Sequence, residues 1–464
     1  MPPEPKSLPS RRSLISLVAV AAVMALVAQP AHAAAGRWKP LGTSGQLNIS
    51  DEAGLARTGD GALHVAWFRR TPAATYDVLQ TPVTPAGAIG APVPIVTGWA
   101  SVEGPSLVAQ GSALAAFFSG NQTTTTGDPT EGVDLATSGD AGHTWALAPR
   151  AIASGDFASS RDAAVVAVGS SFVQAWYAGE ETVVHAGLDN GVPAQRGYGS
   201  GTDQSLAADA AGSVLVAWCT DVQGPNGVYV QPVAPASGAP AGPAALMPGS
   251  TVAVSGVPET YCPANTRVPM VARVGGGFYV LSTDGNRHAV RVWRAGAASS
   301  ATLAGGSSFK QQLALAAAPG GRLWAGWMQN GNLRLRRSNP AGTVFGATVT
   351  VPAPPGDATD QLDLSGQADR VDAVVRTAAS GAGVALYHAQ SFPGLTLTAH
   401  SGRRARFEVT DAGDPVAGAT VRVAGQEATT NARGVAVIAV PAHRHSATAS
   451  KKGYVSASAS VRGR

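Results

Sequence analysis

One unit recurs along this chain: an apolar strand, a glycine-bearing turn, and a second apolar strand that often ends on an aromatic residue. It runs from Gly54 to Trp67, Pro105 to Phe117, Ala163 to Trp176 and Ser205 to Trp218. The copy from Val268 to Ser282 lacks the aromatic, Leu313 to Trp327 restores it, and Leu362 to Val375 is the most degenerate. The copies end at positions 67, 117, 176, 218, 282, 327 and 375, a spacing suited to four-stranded units that cannot bury their faces alone and must stack on neighbours. A third strand is expected after each copy, as at Tyr76 to Val83, Val183 to Leu188, Gly227 to Val233 and Asn332 to Arg337.

The fold class this predicts is all-β. The spacing points to a seven-bladed β-propeller, with six blades plus an irregular insertion as the alternative. No long stretch shows helical periodicity, and 56 Gly and 32 Pro against 13% charged residues describe many tight turns between short strands. Arg37 to Leu41 is expected to supply the last blade's outer strand and close the ring. The strand-ending aromatics are read as packing between blades rather than as sugar-stacking platforms.

Between the third and fourth strands of the second copy lies Ser138-Gly139-Asp140-Ala141-Gly142-His143-Thr144-Trp145. It resembles the S-x-D-x-G-x-T-W Asp-box of sialidase-like (BNR) propellers, which the family uses as a structural turn. The residue types suit that turn: Ser138, Asp140 and Thr144 can bond local amides, Gly142 can take φ > 0, and Trp145 can fill the gap between blades. A shorter echo, Ser338-Asn339-Pro340-Ala341-Gly342-Thr343, occupies the same place in the sixth copy. The resemblance implies a fold far more than an activity. Sialidases carry three substrate-gripping arginines, a Tyr–Glu pair and an acid–base Asp. Here Phe68-Arg69-Arg70-Thr71-Pro72 follows a second strand rather than an innermost one, and Glu259 and Tyr261 are merely neighbours in a loop.

After residue 394 the pattern changes. Asp411-Ala412-Gly413-Asp414-Pro415-Val416-Ala417-Gly418-Ala419, with Thr429 to Gly434 and Lys452-Gly453-Tyr454, resembles carboxypeptidase-regulatory-like and bacterial Ig-like modules. The resemblance implies a small non-catalytic β-sandwich over 395–464 that acts as a spacer or adhesion unit. The expected division is therefore a signal peptide at 1–33, the propeller at 34–394 and the sandwich at 395–464.

The signal reading rests on Lys6, Arg11 and Arg12, the apolar run Leu14 to Ala28, and the small-residue site Ala31-His32-Ala33. Secretion is expected, by the general route or, given Ser10-Arg11-Arg12-Ser13, by the twin-arginine route. No other segment is apolar for long enough to span a membrane. In an exported chain the two cysteines, Cys219 and Cys262, are expected to form one disulfide, with two free buried thiols as the alternative.

Residues 395–464 hold ten Lys or Arg against four Asp or Glu, whereas the central region is mildly acidic. That balance argues against a nucleic-acid interface on the propeller and suggests contact between the basic tail and anionic cell-wall polymers. Several catalytic signatures are absent: a G-x-S-x-G elbow, H-E-x-x-H, a phosphate-binding loop and cysteine-rich zinc spacing. His443-Arg444-His445 sets two imidazoles on one strand face, but with no nearby carboxylate it is read as a solvated basic turn. No metal and no cofactor are expected.

The candidate site follows from propeller geometry. Loops leading into innermost strands converge on one mouth of the axial channel. Those positions are Asp51, Glu52, Glu103, Arg161, Asp162, Asp203, Gln204, Arg267, Lys310, Gln311, Asp360 and Gln361. Thr202-Asp203-Gln204 and Thr359-Asp360-Gln361 repeat one triplet. Carboxylates, amides and cations gathered on a concave mouth can hold a glycan, a peptide or a cation. The expected function is thus extracellular recognition of a glycan or protein. A glycoside hydrolase or lyase at the same mouth, or a scaffold without a small ligand, are the alternatives.

Overall fold

The computed structural model describes residues 37–45, 53–123, 132–148, 153–154, 163–178, 181–188, 194–199, 201–220, 225–251, 267–356, 358–379 and 383–463. Among the described residues nearly all of the regular structure is antiparallel sheet, relieved by a short 3-10 turn at Pro319–Gly321. Among the described residues up to Ser391, seven sheets follow one another along the chain. Sheet 1 contains Gly54–Arg57, Leu63–Arg70, Tyr76–Val83 and Val93–Trp99; sheet 2 opens with Ser101–Gln110, Ala113–Asn121 and Gly132–Ser138. Sheets 3 to 6 begin with Ala164–Val168, Thr202–Ala208, Met270–Ala272 and Lys310–Ala317. Sheet 7 comprises Ala358–Gly366, Val371–Ala379 and Gly383–Ser391.

The first strand of each sheet touches the first strand of the next, and Ala358–Gly366 of sheet 7 touches Gly54–Arg57 of sheet 1. The sheets therefore form a closed ring around an axis, the β-propeller arrangement. Closure is made by a strand that precedes sheet 1 in the sequence. Lys39–Gly45 pairs antiparallel with Gly383–Ser391 as the outer strand of sheet 7, with Lys39 opposite His388. A buried polar cluster reinforces this seam. Asp372 accepts from His388 Nε2 (2.8 Å), Gln390 Nε2 (2.9 Å), Gln367 Nε2 (2.7 Å) and, across the seam, Arg57 Nη2 (2.7 Å). Burial alone would raise the Asp372 pKa, but the His388 hydrogen bond and the nearby positive charge outweigh it and hold it down at about 2.

Between sheets the core is a series of separate apolar seams. Trp67, Trp176, Trp218 and Trp327 are each buried in a cluster shared with the preceding sheet. In sheet 2 the residue on that side is Phe118, packed edge-on to Trp99, whereas Phe117 faces sheet 3. The sequence alignment of copies is thus one residue out at this point. A shift of one in a strand exchanges the two faces.

The octapeptide at 138–145 joins Gly132–Ser138 to Ala146–Leu147. Ser138 Oγ donates to Asp140 Oδ1 (2.7 Å) and accepts from Gly142 N (2.9 Å). Asp140 accepts from Thr144 N (2.9 Å) and Thr144 Oγ1 (2.7 Å); these bonds hold its carboxyl well below the ordinary carboxylate range. Trp145 packs on the core shared by sheets 1 and 2. In the sixth copy Asn339 takes the role of Asp140, accepting from Thr343 N (2.9 Å), with Gly342 again at positive φ. One residue fewer separates Ser338 from its Asn, yet the turn closes in the same way.

Beyond Pro393 two further sheets enclose a single core built on Phe407, Val409, Val421, Ile438 and Ala447. One contains Thr396–His400, Arg404–Asp411, Asp414–Pro415 and Val435–Ala439; the other contains Gln426–Thr429, Thr420–Val423, His443–Ser450 and Ala457–Gly463. They are joined to sheet 6 by ion pairs from Arg337 to Asp411 and from Arg322 to Asp411 and Asp414. The Arg337 guanidinium also lies between the rings of Trp324 and Tyr454. Cys219 is buried in sheet 4, and no free thiol occurs among the described residues; its expected partner Cys262 lies outside them.

Candidate functional site

A cavity of about 210 Å³ lies on the axis and is lined by the first strand of every sheet. Gly54, Ser106, Ala164, Ser205, Leu313 and Gln361 contribute to it from sheets 1, 2, 3, 4, 6 and 7, and Val268 with Arg267 from the approach to sheet 5. It is smaller than the clefts of roughly 300–1,000 Å³ that enclose drug-sized ligands.

The strands around this cavity share a local irregularity. Pairing of first and second strands slips between Glu103 and Ser106 in sheet 2 and between Thr202 and Ser205 in sheet 4. It slips again between Gln311 and Leu313 in sheet 6 and between Thr359 and Gln361 in sheet 7. Extra residues of this kind bend a strand and re-aim its side chains. Two of them force a non-glycine residue into the left-handed region, Asp203 at φ 61° and Gln312 at φ 48°. Four sheets thus carry the same device at the same end of the first strand.

Arg267 is the group that spans the axis. Its Nη2 lies 3.3 Å from the Ala163 carbonyl at sheet 3 and 3.5 Å from the Gly104 carbonyl in sheet 2. Asp363, from sheet 7, also faces the cavity. Enclosure pushes its carboxyl up to about 6, against the pull of Arg267 and Arg376. Gln361 is 2% exposed, and neither its amide oxygen nor its amide nitrogen has a hydrogen-bond partner; the buried Ser205 hydroxyl has none either. Buried polar atoms are nearly always paired. This cavity therefore collects a cation, an acid that is largely protonated below about pH 6, an amide able to donate and accept, and a hydroxyl.

The mouth residues expected from the sequence separate into groups. Arg267 and Gln361 line the cavity. Asp360 is held bidentate by Arg376 at 2.9 Å through each oxygen. Gln204 donates to the Gly201 carbonyl at 2.7 Å and lies 3.3 Å from Thr182 Oγ1. Lys310 is fully buried; its amine donates to the carbonyls of His288 (2.7 Å) and Ser308 (2.8 Å), and desolvation lowers its pKa. Glu103 and Asp203 sit at the strand irregularities, Asp203 nearly buried with its carbonyl accepting from Val268 N. Asp51, Glu52, Arg161 and Asp162 lie outside the described residues, as do Glu259 and Tyr261. Sequence reasoning missed Asp363 and Ser205. Both stand within first strands, past the polar loop positions that marked the mouth, and a carboxylate set between Leu362 and Leu364 was the signal available for Asp363.

No protein-family model matches the sequence, and no curated protein matches it. Among solved structures the chain is similar to virginiamycin B lyase from Staphylococcus aureus, at 9% identity and a TM-score of 0.42, over 76% of this chain and 99% of that one. It is similar to an α-L-arabinanase from Penicillium chrysogenum, at 12% identity and a TM-score of 0.41, over 77% and 98%. It is similar also to YCF48 from Cyanidioschyzon merolae, at 13% identity and a TM-score of 0.39, over 75% and 98%. All three are β-propeller proteins, and no activity is transferred from likeness at this level.

Proposed function

We propose that this chain is an exported recognition protein whose axial cavity receives one polar group of a glycan or extracellular protein. The observation that carries the reading is Gln361, whose amide is buried with both polar atoms unpaired beside Arg267 and Asp363. An amide so placed is stabilised by a ligand that supplies both a donor and an acceptor, such as a sugar hydroxyl or a second amide. Residues 1–33 act as the export signal, residues 34–394 as the propeller, and residues 395–464 as a spacer or adhesion module touching anionic cell-wall polymers. A disulfide between Cys219 and Cys262 belongs to the same reading of an exported chain.

A second reading, a glycoside hydrolase or lyase, is favoured by Asp363, whose pKa near 6 suits a general acid. Hydrolysis by paired carboxylates needs a second one facing the same sugar. Among the described lining residues Asp363 is the sole carboxyl group, which sets this reading behind recognition. One experiment separates them: residues 34–464, and the same chain with Gln361→Leu, are incubated with a glycan library while retention and product masses are recorded. Retention without products, lost in Gln361→Leu, supports recognition. Product formation moves the enzyme to first place. Absence of both leaves a scaffold and sinks the cavity reading.

A further inference from the structure

The C-terminal sheets are electrically polarised along Arg404–Asp411. At about 3.3 Å per residue the two ends of this strand lie roughly 23 Å apart. Its acidic end, with Asp411 and Asp414, is seated on Arg322 and Arg337 of sheet 6. The other two carboxylates of residues 395–464 are also engaged, Glu408 by Arg406 and Glu427 by Arg422 at 2.9 Å. Every acid of the module therefore already faces a base.

At the opposite end, among the described residues, bases gather without acidic side chains. Arg444 and Arg462 stand directly opposite each other on adjacent strands, both exposed. Like charges in that arrangement repel. Arg462 N donates to Ser401 Oγ (3.2 Å), which holds the turn carrying exposed Arg403 and Arg404 beside them, and Val440 N donates to the Arg403 carbonyl (3.3 Å). Exposed His443 follows that last segment. None of these four arginines has an ion pair among the described residues. From this end, exposed hydroxyls continue along the outer face as opposed pairs, Ser446 with Ser460 and Thr448 with Ser458.

We infer that this distal end and the adjoining hydroxyl face bind a strand of anionic polysaccharide. Arginines supply charge-assisted bonds to sulfate, phosphate or uronate groups, and the hydroxyl pairs supply neutral bonds to sugar oxygens. The same face carries no aromatic side chain: Phe407 is buried in the core and Tyr454 is turned toward Arg337. It thus lacks the stacking platforms of single-strand nucleic-acid binders and the apolar wedge of membrane-surface binders. The distal position leaves this surface free while the acidic end holds the propeller. The inference rests on the reading of residues 395–464 as a module that touches anionic polymers, and is independent of what occupies the axial cavity.

The test uses residues 34–464 and dextran sulfate, with neutral dextran, phosphatidylglycerol vesicles and oligo(dT) as comparison probes. Arg403, Arg404, Arg444 and Arg462 are together replaced by Ser. A charge-matched control replaces Arg70, Arg294, Arg433 and Lys452, which are exposed elsewhere. The expected result is salt-sensitive binding to dextran sulfate, weakened about tenfold or more in the distal variant and much less in the control. Equal loss in the two variants, no loss in the distal one, or tighter binding to vesicles or oligo(dT) than to dextran sulfate would each overturn the inference.

Discussion

Arg337 and Asp411 form a buried ion pair between sheet 6 of the ring and the C-terminal sheets, with side chains only 4% and 3% exposed. Removing one member leaves the other charged and enclosed, which costs about 3 to 5 kcal/mol, whereas exchanging both for apolar residues of similar volume costs far less. Asp411→Ala is expected to lower the denaturant midpoint and expose the connection near Pro393 to protease. Arg337→Met with Asp411→Leu should largely restore both. A single variant as stable as the parent would show that the joint does not depend on this pair.

The seam cluster around Asp372 predicts an acid-sensitive closure. Its folded pKa, about 2, is below the unfolded value near 3.9, so the unfolded chain binds more protons between the two. The contribution, about 2 kcal/mol, is fully present above pH 4 and is lost as pH falls through about 2. Urea midpoints measured between pH 5 and 2 should fall more steeply in the parent than in Asp372→Asn. Parallel curves would refute the assignment.

Asp363 predicts the opposite slope at higher pH. Its folded pKa, about 6, exceeds the unfolded value, so between pH 4 and 6 the folded protein binds the extra proton and stability declines as pH rises. Asp363→Asn should lessen that decline, the remainder of which belongs to Asp134, whose carboxyl burial pushes up to about 7. Retention of a ligand hydrogen-bonded to the neutral acid should weaken above pH 6 in the parent and become pH-independent in the variant. A parent whose stability is level from pH 4 to 7 would contradict the placement of this carboxyl.

Gly142 couples the octapeptide to the neighbouring sheet. Its φ is 79°, and a Cβ there would meet Gln80 Oε1 at 2.7 Å. Gln80 in turn donates to His64 Nδ1, and His64 Nε2 meets Thr58 Oγ1, so the strain reaches the core of sheet 1. Gly142→Ala should lower stability by more than about 1 kcal/mol, since alanine there suffers both the left-handed backbone and the clash. Gly139→Ala, which meets nothing within 4 Å, is the control that should change little.

How far the sequence carried this picture depends on what each residue pattern encodes. Strand–turn–strand spacing marked the sheets because apolar alternation reports burial directly. The Thr359-Asp360-Gln361 triplet marked both side chains as facing the mouth, but only Gln361 lines the cavity. An irregularity in strand pairing reversed the faces, sending Asp360 to Arg376 and Gln361 to the cavity. Lys310 looked like a mouth cation because its charge was visible, whereas the carbonyls of His288 and Ser308 that receive it come from backbone geometry. Arg267 reaches across the axis to strands more than 100 residues away, a relationship that exists only once the ring is closed.

Gln361 supplies the sharpest test of whether the cavity serves a ligand. A buried amide without partners destabilises the unliganded fold by about 1 to 3 kcal/mol relative to a satisfied one. Gln361→Leu keeps a similar volume and removes both unpaired atoms. The variant is therefore expected to be as stable as the parent or more so, measured by urea unfolding without ligand. It is also expected to lose glycan or peptide retention by about tenfold or more, the size of one lost buried hydrogen bond. Gains in stability with losses in binding are the signature of a polar group kept for recognition at the expense of the fold. If Gln361→Leu instead lowers stability, the amide is satisfied by the protein itself, and the cavity has no vacant bonding capacity to offer.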